Sequence, residues 1–332
     1  MKKRPTHILA IRLSALGDVA MTIPILYSVA RTYPDLRITV LTRPFFARLF
    51  LNRPENLSVA TYDANRSLWQ NLRRVATLRP NGVADLHNVL RSWIIGAYFR
   101  IKGIRVVMLD KRRHQRRQLT SGGKGGAQQS YIERYQEVFQ ALGYPVETVF
   151  TSLFEHQAPP PAPLTVPQRS IGIAPFARYY TKTYPLELMK QVVELLSCKG
   201  YAVYLFGGRG HEAETLSRWQ EEIPNTTSVA GCYPLEDELA LMSHLKLMVS
   251  MDSANQHLAS LVGTPTLTLW GGTTPECGFL GYAQQAENTL CSHLNCQPCS
   301  IAGTPDCKLG TLACMTSISP QAVADRVEQM LA

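Results

Sequence analysis

The stretch HILAIRLSALGDV, residues 7–19, decides the fold, because a short apolar run is followed at once by small residues and by the start of a helix-like pattern. A strand that ends in such a turn before a helix is typical of parallel α/β sheets, whose ligands bind outside the carboxyl ends of the strands. Phosphate loops occur at these turns as well, yet Asp18 places a carboxylate there, which would repel a phosphate. The role of Asp18 is therefore the first question that the sequence raises.

Short β-rich runs alternate with helical patterns along both halves of the chain. This alternation predicts an α/β protein with parallel sheets covered by helices on both faces, in two doubly wound domains that face one another across a cleft. The predicted strands span 7–11, 37–42, 83–87, 104–109, 170–174, 201–206, 247–251 and 265–270. The predicted helices span 19–32, 66–78, 90–101, 130–142, 185–197, 210–221, 235–244 and 253–262.

A proline-rich segment divides the two halves. Residues 156–170, HQAPPPAPLTVPQRS, contain five prolines, a composition that favours extended, semi-rigid backbone and suits a domain linker. We therefore expect an N-terminal domain over 1–155 and a C-terminal domain over 171–318. A last helix, residues 319–332, is expected to pack back on the N-terminal domain.

Composition excludes several classes of protein. Of the 332 residues, 45% are hydrophobic and 18% are charged, which fits a globular chain and argues against disorder. There is no apolar run of about 18 residues that would predict a transmembrane helix. The basic start is followed by an apolar run that Arg12 interrupts, so it predicts a first strand and not a signal peptide. We therefore expect a cytoplasmic protein.

The net charge of +9 is distributed unevenly along the chain. Residues 1–150 contain 24 Lys and Arg against 9 Asp and Glu, a balance of +15, whereas residues 151–332 contain 10 against 16, a balance of −6. A basic half indicates an anionic partner, which could be nucleic acid, an acidic membrane surface or a phosphorylated substrate. The alternative is a basic surface that serves solubility alone.

Three turns after predicted strands carry candidate functional residues. In the first, Ser14 and Gly17 are small enough to allow close approach of a ligand, and Asp18 is either a general base or an ordinary helix cap. In the second, the helix start after Asp252 could hold a phosphate with backbone N–H groups, while Asp252 orients the loop. Those N–H groups belong to Ser253, Ala254 and Asn255. His257, one turn into the helix, is either a ligand or a core histidine.

The third turn, APFARYYTKTYPLELM (residues 174–189), contains Lys182 with Arg178 one turn away. A cation on this loop could neutralise a departing diphosphate. Each of these three signals is weak when taken alone.

Taken together, four segments resemble the heptosyltransferase family, glycosyltransferase family 9, which builds the inner core of lipopolysaccharide. They are RLSALGDVAMTIPIL (12–26), KTYP (182–185), FGGRGHEAE (206–214) and SMDSANQHLASLVGTPTLTLWGGTTP (250–275). The resemblance extends over nearly the whole chain.

The resemblance implies the GT-B fold of two Rossmann-like domains, in which residues 1–155 would bind the acceptor and residues 171–318 the nucleotide sugar. It also implies an enzyme that transfers a sugar from a nucleotide-sugar donor, typically ADP-heptose. Transfer would invert the anomeric centre without a metal or other cofactor. Asp18 matches the family's catalytic base and Lys182 the lysine that stabilises the leaving diphosphate. Glu212 matches a glutamate near the donor ribose, Tyr233 an adenine-packing position, and residues 252–257 the phosphate loop.

Basic residues after the third and fourth predicted strands suit an anionic acceptor of the Kdo-bearing lipid A type. Clustered cations would bind its carboxylates and phosphates and would favour the inner face of the cytoplasmic membrane, where we expect peripheral contact. No nucleic-acid motif accompanies the charge, so no nucleic acid partner is expected. The candidate residues are Arg91, Arg112, Arg113, Arg116 and Lys124; the alternative is a solvated charge run.

Five of the eight cysteines lie between 291 and 315. Cys296, Cys299, Cys307 and Cys314 form a C-x2-C-x7-C-x6-C pattern that is compatible with a structural zinc or iron–sulfur site. Disulfides and plain reduced cysteines are the alternatives, and none of these thiols is expected to be catalytic.

Three other functions remain in competition with transfer of heptose. A family 9 transferase could use another nucleotide-sugar donor. A dinucleotide-dependent oxidoreductase is disfavoured, because no G-x-G-x-x-G follows the first strand. A non-catalytic basic protein could bind anionic membrane or nucleic acid without any transfer of sugar.

Overall fold

The computed structural model describes residues 4–121 and 126–332. The chain divides into two compact units. The N-terminal unit consists of residues 1–112 and 130–157, and the C-terminal unit of residues 113–129 and 158–332. Within the described ranges, no helix combines the length and the apolar character that crossing a bilayer requires.

The N-terminal unit contains a five-stranded parallel sheet in the order β3-β2-β1-β4-β5. The chain winds outward from β1 to β3 and then returns to β4 beside β1, so the strand order reverses between β1 and β4. Open α/β sheets bind ligands at such a reversal, outside the carboxyl ends of the strands. The strands are β1 (His7–Ile11), β2 (Arg37–Thr42), β3 (Leu57–Thr61), β4 (Gly82–Asp85) and β5 (Arg105–Met108).

Helices cover both faces of this sheet. The face that α4 and α5 cover has a core of Leu9, Ile11, Val83, Ile95 and Phe99, among others. The helices of the unit are α1 (Leu16–Ala20), α2 (Ile23–Thr32), α3 (Pro44–Ala47), α4 (Leu68–Ala76), α5 (Leu90–Ile101) and α7 (Tyr131–Leu142).

The C-terminal unit contains a six-stranded parallel sheet in the order β11-β10-β9-β6-β7-β8. Its strand order reverses between β6 and β9. The strands are β6 (Ser170–Ala174), β7 (Ala202–Leu205), β8 (Thr226–Ser228), β9 (Leu247–Met251), β10 (Thr266–Trp270) and β11 (Thr289–Cys291). The helices are α6 (Arg113–Thr120), α8 (Leu186–Cys198), α9 (His211–Glu222), α10 (Leu235–Ser243), α11 (Ala254–Leu261), α12 (Ala313–Thr316) and α13 (Pro320–Leu331).

The last helix, α13, packs within the C-terminal unit. Its Val323, Ala324 and Val327 are buried in the core of that unit, and α8 is its main neighbour. Ser319 caps the helix by accepting a hydrogen bond from the N–H of Ala322, with a proline at the first position.

The predicted architecture of two parallel α/β sheets is confirmed, with local differences. The helix predicted over 19–32 is broken at Met21 and Thr22, where the Thr22 hydroxyl donates to the carbonyl of Val19. Pro24 lies in the first turn of the next helix, where a proline is tolerated. Three strands at or near the sheet edges were not predicted, namely β3, β8 and β11, and neither was the highly charged helix α6.

Candidate functional site

The first candidate site lies where β1 ends, at the reversal of strand order in the N-terminal unit. Arg12 follows β1 and is buried, and its Nη2 lies 2.6 Å from Oδ2 of Asp18. The same guanidinium donates to the carbonyls of Ser14 (2.8 Å) and Leu86 (2.7 Å). Three directed bonds from one planar group hold the turn between β1 and α1 in a single shape.

Asp18 occupies the first turn of α1 and remains partly open to solvent. Its Oδ2 also accepts a hydrogen bond from the N–H of Ala15, at 3.1 Å, in the manner of a capping box. The Asp18 side chain is nevertheless 28% exposed, against 6% for Arg12. Asp18 is therefore a helix cap and, at the same time, a carboxylate that a ligand at this edge can reach.

His87 and Asp85 complete this edge from the neighbouring strand β4. The His87 ring contacts the Ser14 hydroxyl through Nε2 at 3.3 Å, and Asp85 accepts hydrogen bonds from the N–H groups of His87 (3.0 Å) and Asn88 (2.8 Å). Burial and the positive charge of Arg12 lower the pKa of His87 to about 3, so the imidazole is neutral near pH 7. Burial raises the pKa of the Asp85 carboxyl.

The second candidate site lies at the reversal of strand order in the C-terminal unit. Lys182 follows β6, Asp252 follows β9, and the ammonium of Lys182 lies 2.8 Å from Oδ2 of Asp252. Asp252 also accepts bonds from Thr273 Oγ1 (2.6 Å) and Gln256 Nε2 (3.1 Å). The carboxylate is almost fully buried, with 4% of its side chain exposed, whereas the Lys182 side chain retains 14%.

Close backbone contacts position the short helical turn that carries Lys182. The N–H of Gly272 donates to the carbonyl of Thr181 at 2.6 Å, and a Cβ at Gly271 would lie 2.5 Å from that carbonyl oxygen. Thr181 also exchanges two hydrogen bonds with Thr304, at 2.8 and 2.9 Å. Gly303, with φ of +93°, lies against the Lys182 side chain, where a Cβ would meet Cδ at 2.5 Å.

The other predicted donor residues follow neighbouring strands of the same sheet. Glu212, in the first turn of α9, accepts a hydrogen bond from the N–H of Gly208 at 2.6 Å, and Tyr233 lies half-buried between β8 and α10. Ser253 precedes α11 as its N-cap, and Ala254 is the first residue of that helix. Glu212, Tyr233, Ser253 and Ala254 thus share the carboxyl edge of the sheet with Lys182.

Two of the predicted donor residues have other surroundings. His257 is buried within α11, one turn from the helix start. Arg178 is exposed and places its guanidinium over the ring of Tyr179, with 5.3 Å to the ring centroid. The structure therefore gives Arg178 a stacking partner and gives Lys182 the carboxylate.

The predicted acceptor residues are divided between the two units. Ser14 and Gly17 lie on the turn beside Asp18, and Arg91 is exposed in the first turn of α5. Arg112 pairs with Glu137 at 2.7 Å in the N-terminal unit. Arg113 and Arg116 lie on α6, which packs with the C-terminal unit, and Lys124 lies outside the described residues.

The cysteines of the C-terminal segment lie around one cavity of about 200 Å³, next to Thr181 and Gly272. All eight cysteines of the chain are in the described ranges, and each is a free thiol rather than half of a disulfide. Among the described side chains, no three His, Cys, Asp or Glu are placed to hold a metal ion. The four that line the cavity are Cys296, Cys299, Cys307 and Cys314.

Sequence reasoning missed the partners that hold the candidate residues. Arg12, His87 and Asp85 are the partners in the N-terminal unit, and Gln256 and Thr273 are those in the C-terminal unit. Their positions in the sequence were the available signal. Asp85 ends and His87 closely follows a strand that neighbours β1, and Thr273 follows a strand that neighbours β9.

Comparison with known proteins identifies the family of this chain. The model of glycosyltransferase family 9 (heptosyltransferase) matches residues 65–308, which is most of the chain. Lipopolysaccharide heptosyltransferase 1 of Pseudomonas aeruginosa is 27% identical, over 98% of each chain.

Solved structures show the same fold at lower identity. A family 9 glycosyltransferase of Veillonella parvula has a TM-score of 0.72 at 19% identity, over 100% of this chain and 98% of that one. The Escherichia coli heptosyltransferase WaaC, solved with ADP-2-deoxy-2-fluoro heptose, has a TM-score of 0.68 at 17% identity, over 97% and 99% of the two chains. These likenesses confirm the GT-B fold. Since the family model covers well over half of its length, the chain belongs to glycosyltransferase family 9, the heptosyltransferase family.

Proposed function

We propose that this enzyme transfers heptose from ADP-heptose to an anionic inner-core acceptor of lipopolysaccharide, with inversion and without a metal. Two findings support the choice of substrates. The relative from P. aeruginosa is a lipopolysaccharide heptosyltransferase, and the structurally similar WaaC was solved with an ADP-heptose analogue.

The C-terminal unit supplies the donor site in this proposal. Lys182 offers a cation at the carboxyl edge of the sheet, and the first N–H groups of α11 lack partners within their own helix. Together they bind the diphosphate and stabilise the charge that develops on it as the bond to the sugar breaks. Glu212 contacts the ribose and Tyr233 packs against the adenine.

The observation that carries the proposal is the environment of Asp18. An arginine and a backbone N–H hold its carboxylate at the reversal of strand order, yet more than a quarter of the side chain stays exposed. In the reaction the acceptor oxygen forms a bond to the anomeric carbon, the bond from that carbon to the diphosphate breaks, and Asp18 takes the hydroxyl proton. Because Arg12 stabilises the ionised carboxylate, transfer of the proton accompanies attack, when the hydroxyl has become acidic.

The N-terminal unit supplies the acceptor site. Ser14 and Gly17 leave room beside Asp18, and Arg91 is an exposed cation on the same unit for a carboxylate or phosphate of the acceptor. An acceptor of the Kdo-lipid A type is anchored in a membrane, so the proposal places the enzyme at the inner face of the cytoplasmic membrane in peripheral contact.

The experiment is to measure transfer and donor binding separately in Asp18→Asn. We expect turnover to fall about 10³-fold, while calorimetry finds the affinity for ADP-heptose unchanged. Asp63→Asn is the matched control, because Asp63 also pairs with an arginine but follows the edge strand β3, two strands away from β1. Unaltered turnover in Asp18→Asn would remove the base from the proposal, and a product with retained anomeric configuration would remove inversion.

A further inference from the structure

The helix α5 carries apolar side chains on two opposite faces. Ile95 and Phe99 are buried in the core that lies against the sheet. On the outer face, Leu90 is 73% exposed, Trp93 is 49% exposed and Ile101 is 85% exposed. A surface helix normally carries one apolar stripe, and a second, exposed one indicates an interaction surface.

The neighbouring helix α4 extends this surface. Leu72 and Val75 of α4 pack into the same core as Ile95 and Phe99, so both helices cover one face of the sheet. Each helix follows the carboxyl end of a parallel strand, so their first turns lie towards the same edge. Trp69, in the first turn of α4, is 70% exposed.

The α4–α5 surface, defined by Trp69, Leu90, Trp93 and Ile101, contains two of the four tryptophans of the chain. The other two, Trp219 and Trp270, are buried in the C-terminal unit. Exposed tryptophans are therefore found on this surface and not in the acidic half of the protein.

Cations surround the apolar residues of the α4–α5 surface. Residues 64–109 contain eight Lys and Arg and a single acidic residue, Asp85, which is fully buried. On α4 and α5 themselves, all of whose residues are described, there is no acidic side chain. The exposed cations on these helices and at the end of α5 are Arg73, Arg74, Arg91, Arg100 and Lys102.

We propose that the α4–α5 surface docks the N-terminal unit on an anionic phospholipid bilayer. Tryptophan rings favour the level of the headgroups, aliphatic side chains enter the acyl boundary, and arginines bind lipid phosphates. A helix of the length of α5 is about 18 Å long. It is therefore too short to cross a hydrocarbon core of about 30 Å, and it lies in the plane of the interface.

This inference rests on the proposed function, because a lipid-linked acceptor gives the enzyme a reason to bind the membrane. A second copy of the chain is the other occupant that an apolar face could have. The uniform positive charge favours lipid, since two copies of this surface would bring like charges together.

The test is sedimentation with vesicles of phosphatidylcholine, with and without phosphatidylglycerol. The wild type is expected to sediment with the anionic vesicles, with a blue shift of its tryptophan emission and loss of binding in high salt. Trp69→Ala/Trp93→Ala should lower vesicle binding at least about tenfold and abolish the blue shift. Val149→Ala, which removes an exposed apolar side chain elsewhere in the same unit, is the matched control and should bind normally.

Transfer to a soluble, delipidated acceptor separates this inference from the proposed function. The double variant should retain that activity, which also shows that it is folded. Equal binding by wild type and double variant would overturn the docking surface, as would a lipid-free dimer that the double substitution converts to a monomer. An enzyme that binds vesicles but transfers no heptose would overturn the proposed function and leave the docking surface standing.

Discussion

Each unit has an ion pair at the reversal of strand order in its sheet, but the more exposed partner is the anion in one unit and the cation in the other. In the N-terminal unit the arginine of the Arg12–Asp18 pair is buried and the carboxylate is the more exposed partner. In the C-terminal unit the carboxylate of the Lys182–Asp252 pair is buried and the ammonium is the more exposed partner. Both pairs lie where the strand order reverses, at the carboxyl ends of central strands.

The buried member of each pair decides which charge the unit offers to a ligand. A buried charge must be compensated, so it holds its partner in one place, and the partner keeps its remaining surface for the substrate. The N-terminal unit thus offers a carboxylate, which suits an acceptor hydroxyl. The C-terminal unit offers a cation, which suits a diphosphate.

The largest effect is expected from removing the cation that the C-terminal unit offers. Lys182→Ala should lower kcat/KM about 10³-fold, because a charge that stabilises the leaving diphosphate is lost and the carboxylate of Asp252 is left uncompensated. Steady-state kinetics with calorimetry of ADP binding measures both consequences.

Lys190→Ala is the control for that variant, since Lys190 forms an exposed pair with Glu222. It should behave like the wild type. Normal kinetics in Lys182→Ala would show that the ammonium of Lys182 does not act on the donor. The difference in exposure between the two ion pairs would then have no consequence for the reaction.

A smaller effect is expected from changing the buried member of the N-terminal pair. In Arg12→Lys a single ammonium replaces a planar fork that binds the carbonyls of Ser14 and Leu86 together with Asp18. We expect kcat to fall about 30-fold, with the KM for the donor unchanged, because the proposed base is misplaced while the proposed donor site is intact.

Arg66→Lys, which alters an exposed pair with Asp63, is the matched control. A rise in donor KM in Arg12→Lys, instead of a fall in kcat, would contradict the separation of the two sites. Loss of folding would be visible in the far-ultraviolet circular dichroism spectrum, and Arg12→Gln then provides a second, uncharged test of the position.

The central strands of both sheets could be predicted from sequence, because they are buried almost throughout and consist mostly of apolar residues. Residues 7–11, 37–42, 170–174 and 247–251 form strands with the predicted bounds. The strand β3, with the sequence LSVAT, lies at a sheet edge and is only partly buried, and β8 and β11 have three residues each. Such short segments carry little periodic signal.

The positions of the candidate residues relative to the strands could be predicted better than their hydrogen-bond and ion-pair partners. Asp18, Lys182 and Asp252 lie at strand ends within recognisable motifs, and the structure places each at a reversal of strand order. Gln256 and Thr273 look like ordinary helix and loop residues, since only the three-dimensional structure brings their polar atoms to Asp252. Burial, which distinguishes the two members of each ion pair, is likewise a property of the folded chain.

The smallest expected effect is on stability as a function of pH, to which the two units should respond in opposite directions. The pKa of His87 is lowered to about 3 by burial and by Arg12, whereas burial raises the pKa of Glu238, on α10, to about 7. In the N-terminal unit an unfolded His87 binds a proton more readily than the folded one, so stability falls as pH drops below about 6.5. In the C-terminal unit a folded Glu238 keeps its proton longer than the unfolded one, so stability falls as pH rises from about 4.5 to about 7.

Two variants separate these responses. Between pH 7 and pH 5, the unfolding free energy of His87→Gln should decrease by about 2 kcal/mol less than that of the wild type. Between pH 5 and pH 8, the unfolding free energy of Glu238→Gln should decrease less than that of the wild type by a similar amount. Denaturant unfolding followed by tryptophan emission measures both, because Trp219 and Trp270 report on the C-terminal unit and Trp69 and Trp93 on the N-terminal unit. His87→Gln should not change the loss of unfolding free energy at alkaline pH, and Glu238→Gln should not change the loss at acid pH. Either change would show that the two groups do not titrate as their burial requires. Since Arg12, which helps to lower the pKa of His87, also pairs with Asp18, this measurement also tests the environment of the proposed base.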